Sequence, residues 1–181
     1  LIISPHIIKN FISNNTVKVL NNWARETIKQ HPHYFTDPQM GLKDTRFTTR
    51  YYKDCNKLSF PVEALDLRVK IADFLNIESY KDPDYCNGIV CGIGYKNGDI
   101  YEHTDPVYHE GTYTLHCNAI TQSAEEGGIT IIEGIEYPTK PNDILVYPVS
   151  KVRHSVSTIK GNTPRIIWVF GYCIDNETKI Y

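Results

Sequence analysis

The sequence predicts a mainly β chain: a jelly roll of two facing antiparallel sheets, with N-terminal helices supporting one of them. Two observations carry this expectation. From Asn87 onward, strand-like runs follow one another at short spacing, with turn residues between them. Before Asn87 there are two segments with helical periodicity and helix-start residues. The 181 residues contain no internal repeat, low-complexity tract or linker. They read as one domain, with residues 1–90 as helical support and first strands and residues 91–175 as the β core.

Taken in order, residues 1–13 read as a short strand followed by a turn of helix. Thr16 to about Gln30 reads as a helix, capped by Asn15 or Thr16, with Val17, Leu20, Trp23, Ala24 and Ile28 on one apolar stripe. Pro32, Pro38 and Gly41 break the next segment, which carries Arg46-Phe47-Thr48-Thr49-Arg50-Tyr51-Tyr52, read either as a strand or as a substrate-contacting loop. Pro61 to Asn76 is a second helix, with Pro61 near its first position and Glu63 in its first turn. The expected strands are Gly88–Tyr95, Ile100–Asp105, Thr112–Thr121, Gly128–Ile132, Asp143–Tyr147, His154–Ile159 and Arg165–Cys173.

Composition narrows the function. A formal charge of −2 argues against a general nucleic-acid binder, which needs a basic face. No apolar run approaches the length of a membrane-spanning helix. The five cysteines (Cys55, Cys86, Cys91, Cys117, Cys173) are odd in number and form no Cys-x-x-Cys pair. That usage points to reduced thiols and a cytoplasmic setting rather than a disulfide framework.

The chemistry concentrates in Gly98-Asp99-Ile100-Tyr101-Glu102-His103-Thr104-Asp105-Pro106. On a strand, alternate side chains share a face, so His103 and Asp105 would project together. A distant histidine, His154, supplies a third ligand. Two histidines and one carboxylate on one face of an octahedron leave three positions open, the arrangement of non-haem Fe(II) oxygenases. A His-x-Asp triplet is common by chance, so its surroundings decide its meaning.

From Tyr95 to Tyr172 those surroundings resemble the double-stranded β-helix of the Fe(II)/2-oxoglutarate-dependent oxygenases, most closely the prolyl-4-hydroxylase-like branch. The matching elements, in order, are Tyr95-x-x-Gly98, His103-x-Asp105, Leu115-His116-Cys117-Asn118, Gly127-Gly128-Ile129-Thr130, Pro141 to Tyr147, and His154, Val156, Gly161 and Arg165. The resemblance implies Fe(II) held by His103, Asp105 and His154, with 2-oxoglutarate as cosubstrate and O2 as oxidant. It places Arg165 as the anchor of the far carboxylate, since an arginine fork binds a carboxylate through two bonds. It places further hydrogen bonds to 2-oxoglutarate at Tyr95 and His116. Asn118 shares a strand face with His116, and either points into the pocket or makes a ladder-end bond. His116 stands where this branch often has Tyr, and Ile167 where it often has Ser or Thr.

The implied reaction is hydroxylation of an unactivated C–H bond in an amino-acid-type substrate. That substrate is a prolyl or other peptide residue, or a small amino-acid-like molecule, with Arg46, Arg50, Tyr51 and Glu102 as possible contacts. Two other readings use the same residues differently. A cupin-type jelly roll would hold Zn or Mn with the histidines and would not need Arg165. A pure binding module would leave the two histidines and the aspartate unexplained.

Overall fold

In the computed structural model, which describes residues 3–52, 58–84 and 86–178, the chain forms ten strands and two α-helices among the described residues. They run β1 (His6–Ile8), α1 (Asn14–Gln30), β2 (Arg46–Arg50), α2 (Val62–Phe74), β3 (Ile89–Gly94), β4 (Ile100–His103), β5 (Thr112–Gln122), β6 (Thr130–Ile132), β7 (Ile135–Tyr137), β8 (Ile144–Tyr147), β9 (His154–Val156) and β10 (Arg165–Asp175). A short 3-10 helix, Pro32–Tyr34, follows α1. One sheet has the strand order β1-β8-β5-β10-β3-β2 and the other β4-β9-β6-β7. Every paired strand is antiparallel. The expected jelly roll with helical support is the architecture found.

Alternation along the central strands sets which residues face the helices. On β10, Ile166, Trp168, Phe170, Tyr172 and Ile174 join the main core, while Arg165, Ile167, Val169 and Gly171 turn to a cavity between the sheets. The neighbours obey the same parity. Tyr113, Leu115, Cys117 and Ala119 of β5 and Ile89, Cys91 and Ile93 of β3 face the core. His116 and Asn118 of β5 and Val90 of β3 line the cavity. Both faces of the large sheet are therefore covered, which is why its central strands read as nearly continuous apolar runs.

The helices cover the core face because their apolar stripes match it. Leu20, Ala24 and Thr27 of α1 are buried, as are Ala64, Leu67, Ile71 and Ala72 of α2. Trp23 locks α1 to the sheet, its ring 5.3 Å from Trp168 and 4.8 Å from Phe60. The alternating run Leu65 to Ile71 folds as helix, since Pro61 sets the N-terminus and the buried side recurs at helical spacing.

Several local expectations are corrected. The cap of α1 is Ser13, whose Oγ accepts from Thr16 N at 3.1 Å, so Asn15 and Thr16 lie inside the first turn. The piece between β1 and α1 is a turn with Asn10 at φ 56°, not a turn of helix. Arg46 to Arg50 is a strand, and its Arg46, Thr48 and Arg50 side chains line the cavity between the sheets. Strand β7 was not anticipated. It pairs with β6 through Glu133 and Gly134, both at positive φ, the two-residue turn that matches strand twist.

Cys86, Cys91, Cys117 and Cys173 are free and buried, and Cys55 lies outside the described residues. Among the described residues, no helix is long and apolar enough to cross a membrane.

Candidate metal centre and anion pocket

His103 and His154 meet because β4 and β9 pair with these two residues directly opposite one another. Cross-strand partners on one face lie about 5 Å apart at Cβ, and here the two rings are 4.2 Å apart between centroids. Asp105 arrives differently from the sequence expectation. Strand β4 ends at His103, and Asp105 sits in the following loop, pinned by its backbone N–H donating to the Val149 carbonyl at 3.2 Å. The outcome is the same convergence. Asp105 Oδ1 lies 3.1 Å from His103 Nε2 and 3.7 Å from His154 Nε2. One ligand atom from each of the three lies within 4.8 Å of the others, close enough to share an ion.

Both imidazoles are oriented from behind. His103 Nδ1 lies 2.9 Å from the Tyr101 carbonyl oxygen, and His154 Nδ1 lies 3.4 Å from that of Val152. A proton held on Nδ1 leaves the Nε2 lone pair for a metal, the usual support of a ligating histidine. Burial disfavours the His103 imidazolium, but its hydrogen bonds to Asp105 and to the Tyr101 carbonyl outweigh burial and raise its pKa. Burial likewise opposes the Asp105 charge, yet the His103 hydrogen bond and the nearby histidines hold its carboxyl below the usual range. Burial pushes His154 down to about 4, so it stays neutral at physiological pH. His103, Asp105 and His154 would hold a divalent cation, which would compete with a proton for His103 Nε2.

The three ligand candidates open onto a cavity of about 270 Å³ whose lining includes Arg46, Thr48, Arg50, His116, Asn118, Tyr147 and Arg165. Arg165 is 4% exposed. Its Nη2 donates to Thr130 Oγ1 at 3.3 Å, its Nε has no hydrogen-bond partner, and among the described residues no carboxylate lies within ion-pair distance. Burial lowers its pKa to about 10, which still leaves it charged at neutral pH. A buried cation without a counter-ion is costly unless something anionic completes it. Gly128 makes room for the Arg165 stem: at φ 65°, a Cβ there would lie 2.9 Å from Arg165 Cδ.

The other expected site residues divide. His116 lines the cavity with Nε2 3.8 Å from Asp105 Oδ2, so it faces the aspartate. Asn118 also lines it, donating from Nδ2 to Tyr147 Oη at 3.0 Å while its Oδ1 is buried without a partner. Tyr95 is not in the cavity lining: its ring is 37% exposed and meets Phe47 edge-on. Gly94 shares the face of the cavity-lining Val90 on β3, so the next side chain turns the other way. Of the possible substrate contacts, Arg46 and Arg50 line the cavity. Tyr51 packs against Phe60, and Glu102 pairs outside with Arg153 at 3.3 Å. Tyr147 was missed because Ile-Leu-Val-Tyr reads as plain core. Its position opposite His116 on β5 is what brings it to the site.

The residues present fit a metal and a dicarboxylate together: a nitrogen-and-oxygen donor set suited to Fe(II), and an orphaned guanidinium in the same cavity. The fold is the double-stranded β-helix of the Fe(II)/2-oxoglutarate oxygenases, in its prolyl-4-hydroxylase-like form. The viral collagen prolyl hydroxylase of Paramecium bursaria Chlorella virus-1, solved with 2-oxoglutarate, superposes with a TM-score of 0.68 at 15% identity, covering 94% of this chain and 96% of that one. A Trichoplax adhaerens prolyl hydroxylase, solved with a hypoxia-inducible-factor oxygen-degradation-domain peptide, gives 0.66 at 11% identity, covering 96% and 84%. A Pseudomonas putida prolyl-4-hydroxylase gives 0.61 at 13% identity, covering 95% and 92%. No family model and no curated protein sequence matches the chain.

Proposed function

We propose that the protein is an Fe(II)- and 2-oxoglutarate-dependent dioxygenase that hydroxylates an amino-acid-type substrate. The observation that carries this reading is the buried, unpaired Arg165 guanidinium in the same cavity as His103, Asp105 and His154. A cupin-type metal site has no use for it. Bound there, Fe(II) with 2-oxoglutarate and O2 supplies the oxidation of a C–H bond to an alcohol, with the cosubstrate leaving as succinate and CO2.

The chain's own residues do the rest. His103 and His154 present Nε2 because their Nδ1 atoms face backbone carbonyls, and Asp105 supplies the one anionic ligand. Three protein ligands on one side leave the other positions for small molecules. Arg165 holds the far carboxylate of the cosubstrate and so fixes which end faces the metal. His116 lies against the second Asp105 oxygen and limits its rotation. Tyr147 and Asn118 hold one another, keeping that wall rigid. A peptide is bound by one of the similar structures, and amino-acid-type substrates, free or in a peptide, are the class this reading carries over.

Two measurements test it. Fe(II) and 2-oxoglutarate mixed anaerobically with the protein should give a weak visible metal-to-ligand charge-transfer band. In air, the protein should release succinate. His103→Ala, Asp105→Ala and His154→Ala should each lose tight metal binding and the band. Near-normal metal affinity in any of them removes that residue from the ligand set, and absence of the band in the wild-type protein rejects the reading.

A further inference from the structure

The site has a second arginine that the reading above does not use. Arg46, on β2, lines the cavity and is only partly exposed. The register places it well: Gly94 of β3 pairs with Arg165 on one side and with Arg46 on the other. Both arginines therefore stand at one level on the cavity face, two strand spacings or about 9–10 Å apart at the backbone. The ground between their stems is taken by Ile159, whose Cδ1 lies where a Cβ on Gly94 would come within 2.7 Å. The two stems are thus held apart by an apolar side chain.

Like Arg165, Arg46 lacks an acidic partner. Among the described residues no carboxylate lies within ion-pair distance of it, and its Nη1 donates only to Met40 Sδ, a weak acceptor, at 4.0 Å. Among the described residues, Asp105 is the single acidic one lining the cavity. An Fe(II) ion, the Asp105 carboxylate, a 2-oxoglutarate dianion and the Arg165 guanidinium together carry no net charge. Arg46 is a cation outside that balance.

We propose that Arg46 is a second anion anchor, and that the molecule oxidised is a small organic acid with a free carboxylate, a free amino acid being the simplest case. The proposal rests on the dioxygenase reading and narrows its substrate. An internal residue of a peptide brings only neutral carbonyls and leaves the Arg46 charge unmatched, whereas a free carboxylate offers the two oxygens that a guanidinium fork takes. The apolar divider at Ile159 assigns one arginine to each acid: Arg165 to the cosubstrate, Arg46 to the substrate.

The test uses Ni(II)-loaded protein without turnover. Calorimetry first measures 2-oxoglutarate binding to the wild-type protein and to Arg46→Gln, Arg46→Lys and Arg165→Met. Ligand-observed NMR on the Ni(II)–2-oxoglutarate complex then compares the twenty free amino acids with their C-terminal amides and with an N-acetylated, C-amidated prolyl tripeptide. Expected is at least one free acid that binds about 30-fold or more tightly than its amide. Arg46→Gln should remove that preference and Arg46→Lys should keep part of it, while 2-oxoglutarate affinity changes less than about 3-fold in both. Amides or the peptide binding as well as the free acids would overturn the proposal, and so would a panel in which no free acid binds. Arg46→Gln weakening 2-oxoglutarate as much as Arg165→Met would assign Arg46 to the cosubstrate instead. Failure of the wild-type protein to bind 2-oxoglutarate would reject the dioxygenase reading, and this proposal with it.

Discussion

Replacing Arg165 by Met should move stability and cosubstrate affinity in opposite directions. The guanidinium is 4% exposed, its Nε has no partner, and its bond to Thr130 is a long one at 3.3 Å. Without a ligand, the folded protein carries a buried charge whose desolvation is not repaid. Removing an unsatisfied buried group of this kind gains about 1–3 kcal/mol, and methionine fills much of the same elongated space. For a chain of this size each kcal/mol is worth about 2–4 °C in Tm, so metal-free Arg165→Met should melt roughly 2–12 °C above the wild-type protein. On the proposed reading, the same change deletes a two-bond, charge-assisted grip on the far carboxylate. That loss is about 2–4 kcal/mol, or roughly 30-fold to 1,000-fold in Kd for 2-oxoglutarate. Calorimetry on Ni(II)-loaded protein reads the affinity, and differential scanning calorimetry without ligand reads the stability. Arg153→Met is the control, since Arg153 is an exposed cation paired with Glu102 and Glu133, and it should move neither by much. A variant that melts below the wild-type protein and binds 2-oxoglutarate normally would refute the argument that Arg165 is held in readiness for an anion.

Two smaller predictions separate room from rigidity. Gly128→Ala and Gly111→Ala both place a side chain at positive φ and should each cost about 1–2 kcal/mol by urea unfolding. Only Gly128→Ala crowds Arg165, so it alone should weaken 2-oxoglutarate binding, by about tenfold, with metal affinity unchanged; equal effects from both would mean that backbone strain, not contact, is responsible. Trp168→Ala, on the helix-facing side of β10, should cost about 3–5 kcal/mol by the same unfolding measurement. A loss under about 1 kcal/mol would show that the Trp23–Phe60–Trp168 group is not what holds the helices to the sheet.

How much of this was legible in the sequence depended on the length scale of the signal. Strands β3, β5 and β10 announced themselves because side-chain alternation is a local property, and Arg165–Asp175 needs only its own residues to declare two faces. The helix over residues 62–74 was legible from Pro61 and Glu63 despite a competing alternation. Strand β7 was not, because three residues after a tight turn give too short a pattern. The ligand candidates His103 and His154 were legible as types in an order, but their opposition across β4 and β9 is a matter of register, which the turns fix and local sequence does not. Asp105 was placed on the right side for the wrong reason, since the strand had already ended and the bond to Val149 turns the loop back. Tyr95 shows the cost of a one-residue offset: the parity that brings Gly94 inward sends Tyr95 out. The unpaired state of Arg46 and Arg165 lies wholly beyond the sequence, because it depends on which acids fail to arrive.

The division of the site between the sheets has a mechanical side. His103 and His154 belong to the four-stranded sheet, whereas Arg46, His116 and Arg165 belong to the six-stranded one. The large sheet is fastened to its helices by the main core, but the small sheet meets it over a modest buried group of Ile132, Leu145, Tyr147 and Val149. On the proposed reading, a dicarboxylate held by a metal at His103, Asp105 and His154 and by Arg165 would act as a rivet through this seam. A ligand at a hundred times its Kd adds about 2.7 kcal/mol against any opening that would release it, which is comparable with burying one large apolar side chain. On the proposed reading, the cohesion of the sandwich would track the supply of the cosubstrate that bridges it.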